Sequence, residues 1–391
     1  MRKLLWVGDA AVATGFARCT HHVLEELRKT WDVHVLGINY RGDPHSWPYP
    51  IYPCWPGGDG FGVGRTATLI ARLKPELVLL QNDPWNIPEY LQKINGACPV
   101  VASMPVDGKN LKDGETLNKL AHAIFWTQFG LDEARAGGYR GSADVIPLGV
   151  DLDLYRPIDR TEARREVGIP EAAMGAFIVG NVNRNQPRKR LDLTVRAFAR
   201  WIKDSGIGDA YLFLYVAPTG EFSYDCGQLI HYYGIKDRLI LVQPHIGQGH
   251  EETWMPKVYS CFDVQVSTTQ GEGWGLTTME GMACGVPQVV PDWAALGEWC
   301  GNAVVKVPCT STAVTPSGIN VLGGIVDEDE MISAIHGLWT SRGWSNNSRL
   351  GWASCKERGL ALVSRPEYRW PAIGQRFARA LDGLVEQAKV A

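Results

Sequence analysis

Apolar and polar residues alternate over 261–267 (CFDVQVS), which predicts a buried strand, and the short apolar run 287–291 (PQVVP) predicts another. Between them a glycine-broken loop leads into a short helix over about 277–284. The stretch therefore reads strand, loop, helix, strand. In such a unit the loop sits outside the carboxyl end of the sheet, where α/β proteins bind ligands. The chain opens with the same rhythm. Residues 4–7 predict a strand, 8–15 a loop, and 32–38 the next strand. Residues 16–28 predict a helix with Ala17, Val23, Leu24 and Leu27 on its apolar side.

A helix over 66–73 and strands at 77–80, 100–103, 121–126 and 144–146 extend the pattern to a parallel sheet with helices on both faces. Residues 147–157 (PLGVDLDLYRP) have no apolar periodicity and read as a surface loop, leading into 161–168. A second set of strands follows at 177–179, 212–216, 239–242, 264–267 and 289–290. The tail carries a helix over 328–339 and an amphipathic segment over 373–391, with Phe377, Leu381, Leu384 and Val385 as its stripe. The prediction is two α/β domains, 1–153 and 154–372, and a final helix over 373–391.

Composition changes this picture little. A length of 391 residues favours two domains, and 45% apolar with 21% charged residues is ordinary for a folded soluble chain. A net charge of -3 supplies no global field for nucleic acid and leaves a local basic groove open. Nine cysteines, an odd number without paired metal spacing, fit a reducing cytoplasm. No run reaches the roughly eighteen apolar residues of a membrane span. The basic start MRKLLWVGD reads as a first strand rather than a targeting segment, because Asp9 interrupts it. Residues 39–64 are rich in Pro, Gly and aromatics, long for a connection and suited to ligand recognition.

The loop after 261–267 has its own chemistry. Gly271, Gly273 and Gly275 let a ligand approach main-chain N–H groups, and the following helix adds unpaired donors and partial positive charge. Both favour a phosphate. Glu272 and Glu280 bracket the turn as hydroxyl acceptors. A ligand with phosphates in the middle and hydroxyls at both ends fits, which is the layout of a sugar nucleotide. Thr277 and Glu280 equally fit a capping box, and the glycines a plain turn. Residues 181–190 (NVNRNQPRKR) lie at the same sheet edge. Arg184 and Lys189 lead Arg188 and Arg190 as diphosphate partners, against the alternative of a solvated basic turn. Gly15 stands at a helix start in a first loop that lacks GxGxxG.

These pieces together resemble the retaining glycosyltransferases of the glycogen-synthase-like family 4, whose fold is GT-B, two Rossmann-like domains facing a central cleft. The resemblance implies an acceptor domain over 1–153, a nucleotide-sugar donor domain over 154–372 and a final helix, 373–391, packing back on the first. EGWGLTTME at 272–280 matches the family's Glu-x7-Glu motif, GMACGVPQVVPD at 281–292 its continuation, PLGVDLDLYRP the end of its first domain, and Arg184 with Lys189 its basic pair. The resemblance implies that Glu272 contacts the donor sugar, Glu280 the ribose, and Arg184 and Lys189 the diphosphate. Gly275, Leu276 and Thr277 would offer backbone contacts, with Gly15 opposite them. His245 and Ile246 would pack near the base, and His245 alternatively caps a strand end. Where many relatives carry a histidine, this chain reads MPVDG, so Asp107 is the polar candidate near the reaction centre, or else a turn stabiliser.

The implied reaction moves a hexose from a nucleotide sugar, UDP-glucose ahead of GDP-mannose, to a hydroxyl with retention. No redox cofactor is implied. No Asp-x-Asp motif stands at a suitable strand end, so no obligatory metal is expected. The acceptor stays open among glycan, lipid, protein, small molecule and modified DNA base, as does the oligomeric state. The alternatives are a two-domain sugar phosphorylase, a nucleotide-sugar epimerase, and a non-catalytic nucleotide-sugar binding protein.

Overall fold

Two parallel sheets carry the chain, each inside its own unit. The computed structural model describes all residues except 13, 56–57, 113, 218–222, 244–250, 316–318, 343–350 and 391, and only the backbone of 217 and 387–390. The first unit holds residues 1–149, 317–321 and 366–391, and the second holds 150–316 and 322–365.

The first unit runs β1 (Arg2–Asp9), α1 (Gly15–Leu27), β2 (Trp31–Ile38), β3 (Ile51–Pro53), α2 (Val63–Leu73) and β4 (Leu77–Gln81). It continues with α3 (Ile87–Ile94), β5 (Val100–Met104), β6 (His122–Phe125), α4 (Gln128–Ala136) and β7 (Ala143–Val145). The strands form one parallel sheet in the order β3-β2-β1-β4-β5-β6-β7. Strands covered on both faces need continuous apolar runs, and every residue of β4 and β5 is buried. Residues 39–64 are not wholly irregular, since β3 adds an edge strand there.

The second unit begins with α5 (Arg160–Val167), β8 (Phe177–Arg184), α6 (Leu191–Asp204), β9 (Ala210–Ala217), α7 (Cys226–Tyr233) and β10 (Leu239–Val242). Then come α8 (Met255–Ser260), β11 (Val264–Val266), α9 (Leu276–Ala283), β12 (Gln288–Pro291), α10 (Ala294–Trp299) and β13 (Val305–Val307). Its parallel sheet has the order β10-β9-β8-β11-β12-β13. The 308–324 stretch, whose irregular pattern reads as an additional surface loop, contains β14 (Cys309–Val314) and leads into β15 (Leu322–Val326), an antiparallel pair. Two helices, α11 (Glu328–Thr340) and α12 (Trp352–Val363), complete the unit.

The core of this unit is locked by a buried ion cluster. Arg164 on α5 donates to Asp263 at 2.8 Å and to the carbonyls of Cys261, Met174 and Ala176. Asp263 in turn accepts from the Ile178 amide at the start of β8.

The chain ends in α13 (Trp370–Val390), which starts before the expected residue 373 and belongs to the first unit. It packs on α1 so closely that a Cβ on Gly374 would lie 2.5 Å from the Glu26 side chain. Phe377 and Leu381 are buried, Phe377 against Trp6, and Asp382 pairs with Arg2 at 2.9 Å.

Candidate functional site

Strands β8 and β11 are neighbours, so the second sheet reverses its strand order between them. The turn after β8 and the loop after β11 therefore leave the sheet side by side at its carboxyl edge, the crevice where open α/β sheets take ligands. The basic segment and the two-glutamate stretch are these two pieces. Main-chain and hydroxyl bonds tie them together. The Gln270 amide donates to the Arg188 carbonyl at 2.7 Å, and the Thr268 hydroxyl donates to the Arg190 carbonyl at 2.7 Å. Below them the Thr194 hydroxyl lies 2.7 Å from that of Thr268 and accepts from Asn181 at 2.9 Å. Asn181, Thr194 and Thr268 are buried, and a satisfied buried network of this kind fixes its members.

Lys189 is buried in a 3-10 turn, and its ammonium pairs with Glu272 Oε1. Arg188 donates to the Gly271 carbonyl at 2.7 Å and stands 3.4 Å from Glu272 Oε2. Burial pushes the Glu272 carboxyl up, but the charges of Lys189 and then Arg188 outweigh burial and hold it below its ordinary value. Glu272 is therefore an anion at neutral pH. Arg184 ends β8 with an exposed side chain, and its guanidinium has no partner among the described residues.

Gly275 caps α9 with φ 94, and a Cβ there would lie 2.5 Å from Leu296 Cδ2. Only glycine meets both demands. Leu276 and Thr277 open the helix half-exposed, and no side-chain cap takes the first amides of the helix. The capping-box reading fails here. Thr277 lies inside the helix rather than at its cap, and Glu280 accepts instead from the Tyr259 hydroxyl at 2.6 Å. Further bonds seat the loop. Gln265 donates to the Thr277 carbonyl at 3.0 Å, and Trp299 donates to the Trp274 carbonyl at 2.7 Å. The Gly324 amide of β15 donates to the Gln270 carbonyl at 2.8 Å. Sequence reasoning missed Tyr259, Gln265 and Thr268, which lie outside the two-glutamate motif and carry no spacing signal of their own.

In the first unit Gly15 opens α1 behind Thr14, whose hydroxyl accepts from the Ala17 amide and donates to Asp9 at 2.6 Å. Asp107 follows β5 and is half-buried. On α1, His21 lies 2.6 Å from the Ala10 carbonyl through Nε2 and 2.5 Å from the Tyr49 hydroxyl through Nδ1. A carbonyl can only accept, so Nε2 carries the proton and Tyr49 donates to Nδ1. Burial lowers the His21 pKa to about 4, and the exposed Trp47 stacks on its ring at 3.4 Å. His21 thus joins the aromatic 45–49 stretch to the loop before Gly15. His245 and Ile246 lie outside the described residues. Among the described residues no helix is long and apolar enough to cross a membrane, and no group of three His, Cys, Asp or Glu side chains is placed to hold a metal ion.

The family model described as glycosyl transferases group 1 matches residues 175–337. D-inositol 3-phosphate glycosyltransferase of Geodermatophilus obscurus is 33% identical over 233 residues, 56% of this chain and 49% of that protein. The enzyme of the same name from Kribbella flavida is 31% identical over 240 residues, 58% of this chain and 54% of that protein. The chain thus spans about half the length of the curated relatives it matches. Sucrose-phosphate synthase from Thermosynechococcus elongatus superposes with a TM-score of 0.75 at 17% identity, over 99% of this chain and 100% of that one. HepE from Anabaena in complex with UDP-glucose gives 0.70 at 17% identity, over 98% and 100%. These structural likenesses establish the GT-B fold.

Proposed function

We propose that the chain is a glycosyl transferase of group 1, or family 4, in line with the family model matched over 175–337 and the inositol-phosphate glycosyltransferase relatives, and that it moves a hexose from a nucleotide diphosphate sugar to an acceptor hydroxyl with retention at the anomeric carbon. The observation that carries this reading is the pairing of two chemistries at one sheet edge. Arg184, Lys189 and the α9 amides supply positive charge for a diphosphate, and Glu272 and Glu280 supply acceptors for hydroxyls on either side. Charge develops on the departing nucleoside diphosphate, so these cations stabilise the transition state more than the bound donor. Glu272 meets the sugar, Glu280 the ribose, and Gly275, Leu276 and Thr277 contribute backbone contacts. Retention follows from attack on the face the phosphate leaves, with a departing phosphate oxygen taking the acceptor proton.

UDP-glucose leads GDP-mannose as donor, in line with the HepE complex. No obligatory metal is required in this scheme. The first unit supplies the acceptor surface, with Gly15, Asp107 and the aromatic 39–64 stretch as its candidates and His245 and Ile246 assigned to the base from the second unit. A panel of nucleotide sugars titrated calorimetrically, with candidate acceptors then read by mass change, tests the proposal. Binding of at least one nucleotide sugar and a hexose mass gain support it. Failure of every donor to bind would count against it, and product inversion would remove the retaining step. A phosphorylase or epimerase would be exposed by donor turnover without an acceptor hydroxyl, and a binding protein by donor binding without turnover.

A further inference from the structure

Tyr259 lies in the last turn of α8, and its ring packs between Tyr155 and Phe262 with centroids 6.2 and 6.3 Å away. The side chain is fully buried, as is nearly all of Glu280. A buried phenol and a buried carboxylate 2.6 Å apart form a charge-assisted bond in which the phenol donates. Glu280 sits on the first turns of α9, between the Gln265 bond to the Thr277 carbonyl and Gly281. Gly281 leaves no room, since a Cβ there would lie 2.3 Å from Gln265 Oε1. The helix is therefore closely packed on either side of Glu280, and the orientation of the buried carboxylate is what a hydrogen-bond partner can still set. The phenol engages Oε2 and so restrains that orientation.

We propose that Tyr259 is the positioning residue of this site: its hydroxyl sets the plane of the Glu280 carboxylate so that the ribose of the donor nucleotide meets it in one orientation. This rests on the reading of Glu280 as the ribose partner. Tyr259 touches no reacting atom. Its effect falls on selection for the ribose hydroxyls and not on the diphosphate or the chemical step.

The test compares UDP with 2′-deoxy-UDP binding, or the guanine pair where GDP binds more tightly, in wild type, Tyr259→Phe and Glu280→Ala. The expected result is a preference for the ribonucleotide in wild type that Tyr259→Phe reduces by about tenfold, the scale of one charge-assisted hydrogen bond. Tyr259→Phe leaves the deoxynucleotide affinity unchanged, and Glu280→Ala abolishes the preference. A purely packing role for Tyr259 weakens both nucleotides equally and overturns the proposal. Full preference in Tyr259→Phe with loss in Glu280→Ala also overturns the proposal while sparing the reading of Glu280. Equal binding of both nucleotides by wild type and Glu280→Ala overturns that reading itself. Should Tyr259→Phe not fold, 3-fluorotyrosine at 259 keeps the hydroxyl. Its ¹⁹F resonance should then differ between the UDP and 2′-deoxy-UDP complexes, and identical resonances overturn the proposal.

Discussion

Replacing Lys189 with methionine keeps the length of the side chain and deletes its charge. Glu272 then stays in a site where its side chain is 12% exposed, with Arg188 at 3.4 Å as its remaining cation. Removing one partner of a buried ion pair costs about 3–5 kcal/mol, and the persistence of Arg188 places this case near 3. In wild type the depressed Glu272 pKa gives stability that is present above the ordinary carboxylate range and lost as pH falls through the folded value. In Lys189→Met burial is no longer outweighed, so the folded pKa rises. The deficit is then greatest above that raised value and shrinks as acid neutralises Glu272. Native-state hydrogen exchange of β8 and β11 amides reads the opening of this unit alone. At pH 8 the variant should open about a hundredfold more often than wild type, and much of the difference should vanish by pH 5. Adding Glu272→Gln should restore most protection at pH 8. Equal protection of wild type and Lys189→Met at pH 8, or an identical loss at both pH values, would refute the reasoning.

Gly275→Ala forces a left-handed residue and a clash with Leu296, together about 2 kcal/mol or more, and should abolish nucleotide binding in calorimetry; wild-type affinity would contradict the loop geometry. Arg164→Met removes the buried cation on Asp263 Oδ2 and leaves Arg160 at 2.7 Å and Arg342 at 3.2 Å on Oδ1. It should therefore destabilise the second unit by about 3 kcal/mol in exchange experiments, the low end for breaking a buried pair. The remaining folded protein should bind nucleotide normally, and a selective loss of affinity would assign Arg164 a role it lacks here. The His21 pKa falls from 6.5 to about 4 on folding, so the unfolded chain binds the extra proton between those values. First-unit stability should therefore fall by ~3 kcal/mol as pH drops from 6.5 toward 4, and His21→Gln should flatten that slope in β1 amide exchange. An unchanged slope would show that another group titrates there.

The two-sheet architecture was legible because parallel strands covered on both faces write themselves as apolar runs, as in β4, β5 and β8. The two-glutamate loop and basic turn were legible because glycines and charges clustered after such runs. What the sequence hid is tertiary. Whether Thr277 capped α9 depended on Gly275 taking the cap with φ 94, at a position where a Cβ would meet Leu296 from outside the motif. Tyr259 reads as an unremarkable aromatic until β11 and α9 fold back to bring Glu280 to its hydroxyl. The edge strand β3 has only three residues, and β14 (CTSTAV) and β15 (LGGIV) carry hydroxyls and glycines in place of an apolar run, so the 308–324 stretch read as irregular. The expected start of the last helix at 373 missed Trp370, whose ring stacks on His22 at 4.7 Å and extends the helix by a turn.

The most direct measurement is a crystal structure of the chain with UDP-glucose. The account predicts the diphosphate within hydrogen-bonding distance of Arg184, Lys189 and the amides at 275–277, the ribose on Glu280 and the hexose on Glu272. A nucleotide bound at any other edge of the second unit, with Lys189 still locked to Glu272 and Arg184 in solvent, would contradict it.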